Sequence, residues 1–302
     1  MITTLMTVAG PAPPSRGVQG TTRSPNLAAE QLTGRTYLSH SQISLMRSCP
    51  RKFAYIYIEK APPDFIPSSL IFGGSIHASL ETYFRAKLEG IAITASDLLS
   101  TYHDAWTEQL ARAREQAGGT EVPVRFNKTD TPASVHATAE RMLAAFLNST
   151  LAEPKGTILG VEEQLRVMLS PDLPDVLAKV DLVTHTEGWL HVVDFKTSRS
   201  RWTAQKAEES ADQLLLYAVT LAELSRSLGL PARLHFAVIT KAKTPVVQLL
   251  PVQVDPGRVE VLTQTIAQVW EAIRAGNFYP SPSPMNCTTC PFRSRCPAMS
   301  RK

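Results

Sequence analysis

Two carboxylates and a lysine carry the most specific chemistry in the sequence: Asp181 in AKVDLV, and Asp194 with Lys196 in WLHVVDFKT. Both runs are short and rich in β-branched residues, as strands are. Side chains alternate along a strand, so Leu190, Val192, Asp194 and Lys196 leave one face while Trp189, His191, Val193 and Phe195 leave the other. A hairpin between the two runs brings Asp181 alongside Asp194. Converging carboxylates repel each other unless a cation sits between them, and hard oxygen ligands select Mg²⁺ or Mn²⁺ over zinc. Such an ion polarises a phosphate oxygen and acidifies a bound water, which Lys196 would position or deprotonate; this is the chemistry of phosphodiester hydrolysis. An isolated Asp-x-Lys at a strand end is by itself an ordinary surface pair, so the neighbours decide.

A second constellation lies at the two ends of the chain. Cys287, Cys290 and Cys296 form C-x2-C-x5-C, and Cys49, the fourth and last cysteine, precedes a proline as Cys290 and Cys296 do. Four cysteines in 302 residues are too few for a disulfide scaffold, and their clustering points to metal. Four thiolates suit tetrahedral zinc or an iron-sulfur cluster, and spacing does not choose between them. Either would staple residue 49 to the C-terminal segment.

The elements that must position these residues follow from periodicity. The first 35 residues are rich in Pro, Gly, Ser and Thr and read as a disordered lead-in, with the fold starting near Tyr37. LSHSQISLMRSCPRKF predicts a short Ser-capped helix, a Cys-Pro break and a second apolar segment. Helices are predicted near residues 70–89 (carrying His77), 96–116 and 132–150, then a three-stranded meander in ILGVEEQLRVML, VLAKVDLVTH and GWLHVVDFKT. A helix over 203–228, strands RLHFAVIT and VVQLLPVQV and a helix over 256–275 complete an α/β fold: a mixed sheet of α+β type with helical cover. Glu162 and Glu163 in the first strand are given no role, since exposed glutamates are common.

Bulk properties exclude little. A net charge of +4, from 31 basic and 27 acidic residues, does not single out nucleic acid as a partner, so contacts would come from local groups such as Arg199 with Arg201, Lys241 with Lys243, or Arg293 with Arg295. No apolar run approaches the roughly 18 residues that span a bilayer, and MITTLMTVAG lacks the basic flank of a signal peptide, which predicts a cytoplasmic protein without membrane contact. No GxxxxGK stretch supplies an ATP-driven motor.

Five motifs in order resemble the PD-(D/E)XK nucleases, and among them the RecB-like branch with AddB and the CRISPR-associated exonucleases. They are SxxxxxxxCPRKF (Ser41 to Phe53), GGSIH ending in His77, AKVD ending in Asp181, VDFKT holding Asp194 and Lys196, and QLLLY holding Gln213 and Tyr217. The resemblance spans residues 39–298 and implies a restriction-endonuclease-like core in a nuclease domain over 36–302, with a helical N-terminal part and a C-terminal cysteine staple. It implies His77, Asp181 and Asp194 as metal ligands, the Phe195 carbonyl as a further one, Lys196 as base or water positioner, and Gln213 with Tyr217 as a catalytic pair on one helical face. It implies a 4Fe-4S cluster on Cys49, Cys287, Cys290 and Cys296, with zinc as the alternative. Ala178, three residues before Asp181, and Phe195 stand where the family often has Gly and Tyr. The implied activity is a Mg²⁺- or Mn²⁺-dependent DNA exonuclease acting on single strands or duplex ends in recombination, repair or phage DNA metabolism, with a helicase or recombinase as partner. Two alternatives are a CRISPR adaptation nuclease that trims DNA before integration, and a catalytically silent, cluster-stapled DNA-binding protein.

Overall fold

The computed structural model describes residues 24–186 and 188–299. Most of the expected lead-in, residues 1–23, lies outside the described residues. The part inside corrects the expectation: α1 (Pro25–Thr33) is a helix with Pro at its first turn and left-handed Gly34 as its cap, and it buries Ala29 and Thr33. Its start and stop signals are in the sequence, but its apolar face is too thin to show a period.

Next come β1 (Tyr37–Ser39) and α2 (His40–Ser48), where Ser39 and Gln42 form a reciprocal capping box, as the Ser cap predicts. After the Cys-Pro break, α3 (Pro50–Phe53) runs into a π-helical turn at Ala54–Ile58. A small parallel pair, β2 (Ile66–Pro67) with β3 (Val124–Arg125), was not expected. The three helices α4 (Ser68–Leu88), α5 (Ala95–Gln116) and α6 (Pro132–Leu147) match the predicted spans to within about three residues. The meander is β4 (Thr157–Val167), β5 (Asp175–Thr186) and β6 (Trp189–Ser198). The helix expected over 203–228 is broken into α7 (Ala204–Glu209) and α8 (Asp212–Leu228), and β7 (Ala232–Thr240), β8 (Val247–Val252), α9 (Pro256–Arg274) and α10 (Pro284–Cys287) follow.

One six-stranded mixed sheet carries this order: β4 and β6 pair antiparallel with β5, β6 pairs parallel with β7, and β7 antiparallel with β8. Helices cover both faces, with one core of α2, α8 and α9 around Val192, Phe236 and Trp270, and another of α4, α5 and α6 around Val193, Phe195 and Ile239. Val192 and Val193 fall into different cores, as strand alternation requires. This α/β architecture is that of a restriction-endonuclease-like core. Among the described residues no helix is long and apolar enough to cross a membrane.

The sheet forks, and the fork positions the site. β4 occupies one edge of β5 from Val176 to His185. The other edge is shared: β1 pairs parallel with Asp175–Leu177, and β6 pairs antiparallel with residues 182–186. Between them Ala178 to Asp181 are left without a strand partner on that edge. Their polar groups must find other partners, because buried backbone groups are seldom left unpaired.

Candidate active site

The unpaired stretch is completed by side chains. The Phe195 amide, next along β6 beyond the last ladder pairs, donates to Asp181 Oδ2 (2.7 Å), so a carboxylate replaces a carbonyl at the fork. The Lys179 carbonyl faces the Tyr217 hydroxyl at 2.5 Å. That hydroxyl also stands 3.1 Å from Asp194 Oδ1 and accepts from Gln213 Nε2 at 2.5 Å. Gln213 Oε1 accepts from Lys196 Nζ at 2.7 Å, and Lys196 Nζ lies 2.7 Å from Asp194 Oδ2. Asp194, Lys196, Gln213 and Tyr217 therefore form one closed polar ring on the α8 side of the sheet, as the shared strand face and the four-residue helical spacing predict.

His77 arrives from the opposite layer, on α4, with Nδ1 3.5 Å from Asp181 Oδ2. Glu162 on β4 joins it: ligand atoms of His77, Glu162 and Asp181 lie within 4.8 Å of one another, the one such group of His, Cys, Asp and Glu among the described residues. Sequence reasoning left Glu162 out. Its register, between the Val161–Leu182 and Glu163–Val180 pairs, sets it across from Asp181, and its backbone adopts a left-handed φ of 54°. A non-glycine residue in that region is strained and marks an over-determined position. Lys179 forms an ion pair with its Oε2.

Electrostatics and hydrogen bonding identify what the site lacks. Asp194 is 1% exposed; burial pushes its carboxyl pKa up and the charge of Asp181 adds to this, while Lys196 offsets part. Burial and Asp181 likewise raise Glu162, with Lys179 opposing. For His77, burial opposes the charged ring, but the hydrogen bond and charge of Asp181, with the charge of Asp194, outweigh it and the pKa is raised. Burial, then Asp194 and Asp181, hold Tyr217 well above the ordinary phenol range. Asp194 Oδ2 and Glu162 Oε2 are buried and touch their lysines as ion contacts, yet neither has a hydrogen bond of regular geometry. Buried carboxylate oxygens in that condition fit a divalent cation, which prefers oxygen ligands. His77, Glu162, Asp181 and Asp194 are the side chains that could hold one.

The sequence matches the description "PD-(D/E)XK nuclease superfamily" over residues 37–297. The chain belongs to this superfamily. Membership makes it a nuclease by class, and PD-(D/E)XK nucleases usually work with divalent metals. Among solved structures it is similar to one named "Putative exonuclease" from Eubacterium rectale, with 14% identity over 91% of this chain and 93% of that one and a TM-score of 0.43. It is also similar to SSO0001, with 12% identity over 78% and 87% of the two chains and a TM-score of 0.33. No curated protein matches it.

The cysteines lie elsewhere. Cys49, Cys287, Cys290 and Cys296 line one pocket with Arg51 and Lys52, but no three of their sulfurs come within 4.8 Å of one another among the described residues. Burial, partly offset by hydrogen bonding to the Phe292 backbone and by Lys52, raises the Cys290 thiol pKa. Protein contacts dock the segment around them: Tyr55 stacks on Phe292 at 5.3 Å and donates to the Arg295 carbonyl at 2.8 Å, and Asn286 donates to the Ser48 carbonyl at 2.8 Å.

Proposed function

We propose that this PD-(D/E)XK nuclease is a Mg²⁺- or Mn²⁺-dependent DNA exonuclease of the RecB-like branch, acting on single strands or duplex ends. The observation that carries it is the fork between β5 and β6, where Asp181, Asp194, Lys196 and His77 converge around buried oxygens that lack hydrogen bonds. His77, Glu162, Asp181 and Asp194 would hold a divalent cation, which would supply Lewis-acid polarisation of a phosphate and a more acidic water. Lys196, fixed between Asp194 and Gln213, orients the attacking water toward phosphorus and stabilises the charge that develops there. Tyr217 and Gln213 hold Asp194 and Lys196 in register. His77 and Glu162 shape the opposite wall.

The cysteine pocket supports the cluster-bearing branch. Four thiols lining one pocket suit a 4Fe-4S cluster, with zinc as the alternative. Its role is a staple between Cys49 and the C-terminal segment of the nuclease domain, and a helicase or recombinase partner would supply the unwinding that this chain has no motor motif for.

The test is purified protein with Mn²⁺ on end-labelled single-stranded, linear duplex and circular DNA. Stepwise loss from ends is expected, and Asp194→Asn or Lys196→Ala should lower the rate on the order of 100-fold or more. Intact DNA of every form, at full metal loading, overturns the reading.

A further inference from the structure

Beside the N-terminal end of α4 the surface opens into a groove of about 650 Å³ that none of the catalytic side chains lines. Arg35, Tyr57, Lys60, Phe65, Leu70 of α4 and Arg112 of α5 are among the residues that line it. No Asp or Glu lines it, which fixes the sign of its ligand. Arg112 shares its charge with Glu108 at 3.0 Å, but both are well over half exposed, and such a pair is weak. One of these cations lies against a flat ring: the Arg35 guanidinium sits 5.3 Å from the Tyr57 ring. Ile56 and Leu70 are 37% and 66% exposed.

Cations interleaved with rings and bare apolar side chains, without carboxylates, match one kind of polymer. Phosphates take the cations, and unpaired bases stack on the rings; in a duplex the bases are stacked on each other and have no faces to offer. Ile71 and Gln109 also line the groove, and Gln109 Nε2 donates to the Ile71 carbonyl at 3.1 Å and to Ser75 Oγ at 3.0 Å. From there α4 presents Gly73 and Gly74, the latter exposed, and reaches His77 about 9 Å along the axis from Ile71.

We propose that this groove binds a single-stranded segment of nucleic acid and leads it along α4 to the centre at His77 and Asp181. The proposal rests on the nuclease reading above and adds the strand state of its substrate and the residues that grip it.

Binding of fluorescein-labelled dT20 is measured by anisotropy in EDTA, so that nothing is cut, across a salt series. Arg35→Glu with Lys60→Glu is expected to weaken binding at least tenfold and to reduce the slope of log affinity against log salt by about 1.4, two phosphate contacts at roughly 0.7 each. Tyr57→Leu is expected to weaken binding about fivefold or more with the slope unchanged, because stacking releases no counterions. Retained Mn²⁺ binding by calorimetry certifies that each variant is folded. Variants that bind dT20 as tightly as the wild type, while the wild type cuts it with Mn²⁺, overturn the groove, leave it to a protein partner and keep the nuclease. A wild type that neither binds nor cuts dT20 or duplex DNA overturns both.

Discussion

The Tyr217 hydroxyl has one proton and three polar neighbours: the Gln213 amide that donates to it, and the Lys179 carbonyl and Asp194 carboxylate that compete for its proton. Because burial keeps the phenol protonated, it ties the unpaired edge of β5 to Asp194 on β6. Tyr217→Phe keeps the ring packing and deletes that link, leaving a part-buried amide and carbonyl unsatisfied. It should cost about 1–3 kcal/mol of stability by urea unfolding, and the cleavage rate should fall while Mn²⁺ affinity holds. Glu162 is the complementary case. Glu162→Gln removes one charge from the His77–Glu162–Asp181 group, and ligand charge count sets divalent affinity, so Mn²⁺ binding by calorimetry should weaken on the order of tenfold. The spacing of Gln213 and Tyr217 and the shared face of Asp194 and Lys196 were legible in the sequence because helix and strand periods are local. Glu162 was not. Two adjacent glutamates in a strand point to opposite faces, and only the pairing register with β5 says which one meets Asp181.

Among the elements, α4 shows how a helix can yield local stability to a site. Gly73 and Gly74 both occupy its interior, where glycine costs about 0.5–1 kcal/mol relative to alanine. The structure distinguishes them. A Cβ at Gly73 would meet Thr197 Oγ1 at 3.8 Å, an ordinary contact, whereas one at Gly74 would meet Gln109 Oε1 at 2.7 Å and displace an amide bonded to Ile71 and Ser75. Gly73→Ala should therefore stabilise by about 0.5–1 kcal/mol and Gly74→Ala should gain nothing or destabilise, with thermal midpoints as the check; equal shifts for both would contradict this packing. Element existence was largely legible, since long amphipathic helices and β-branched runs announce themselves. The misses share a cause. The helix of α1, the break between α7 and α8 and the fork of β5 are each decided by what the segment packs against, and periodicity within the segment is silent on that.

For the whole molecule, helices on both faces bury the sheet, and the pH dependence of folding reflects what is buried with it. His235 on β7 stacks against His191 at 5.5 Å; burial, then the neighbouring His191 and Arg233, lowers its pKa from 6.5 to about 4. His40, at the start of α2, is lowered to about 4 as well, by burial first and then by Lys196. The folded state thus refuses protons that the unfolded chain accepts below pH 6.5. Stability contributed by the neutral rings is complete above that pH and declines as pH falls toward 4, below which the difference no longer grows. Each histidine should account for on the order of 1–2 kcal/mol across this window, once solvent screening is allowed for. His235→Gln removes one titration and leaves the other, so urea midpoints at pH 7, 5.5 and 4.5 should fall less steeply for the variant than for the wild type. Carboxylates that protonate over the same range are common to both proteins and cancel in the comparison. Parallel curves would mean that His235 takes up its proton without penalty, and that the layer between β7 and its neighbours is open to water.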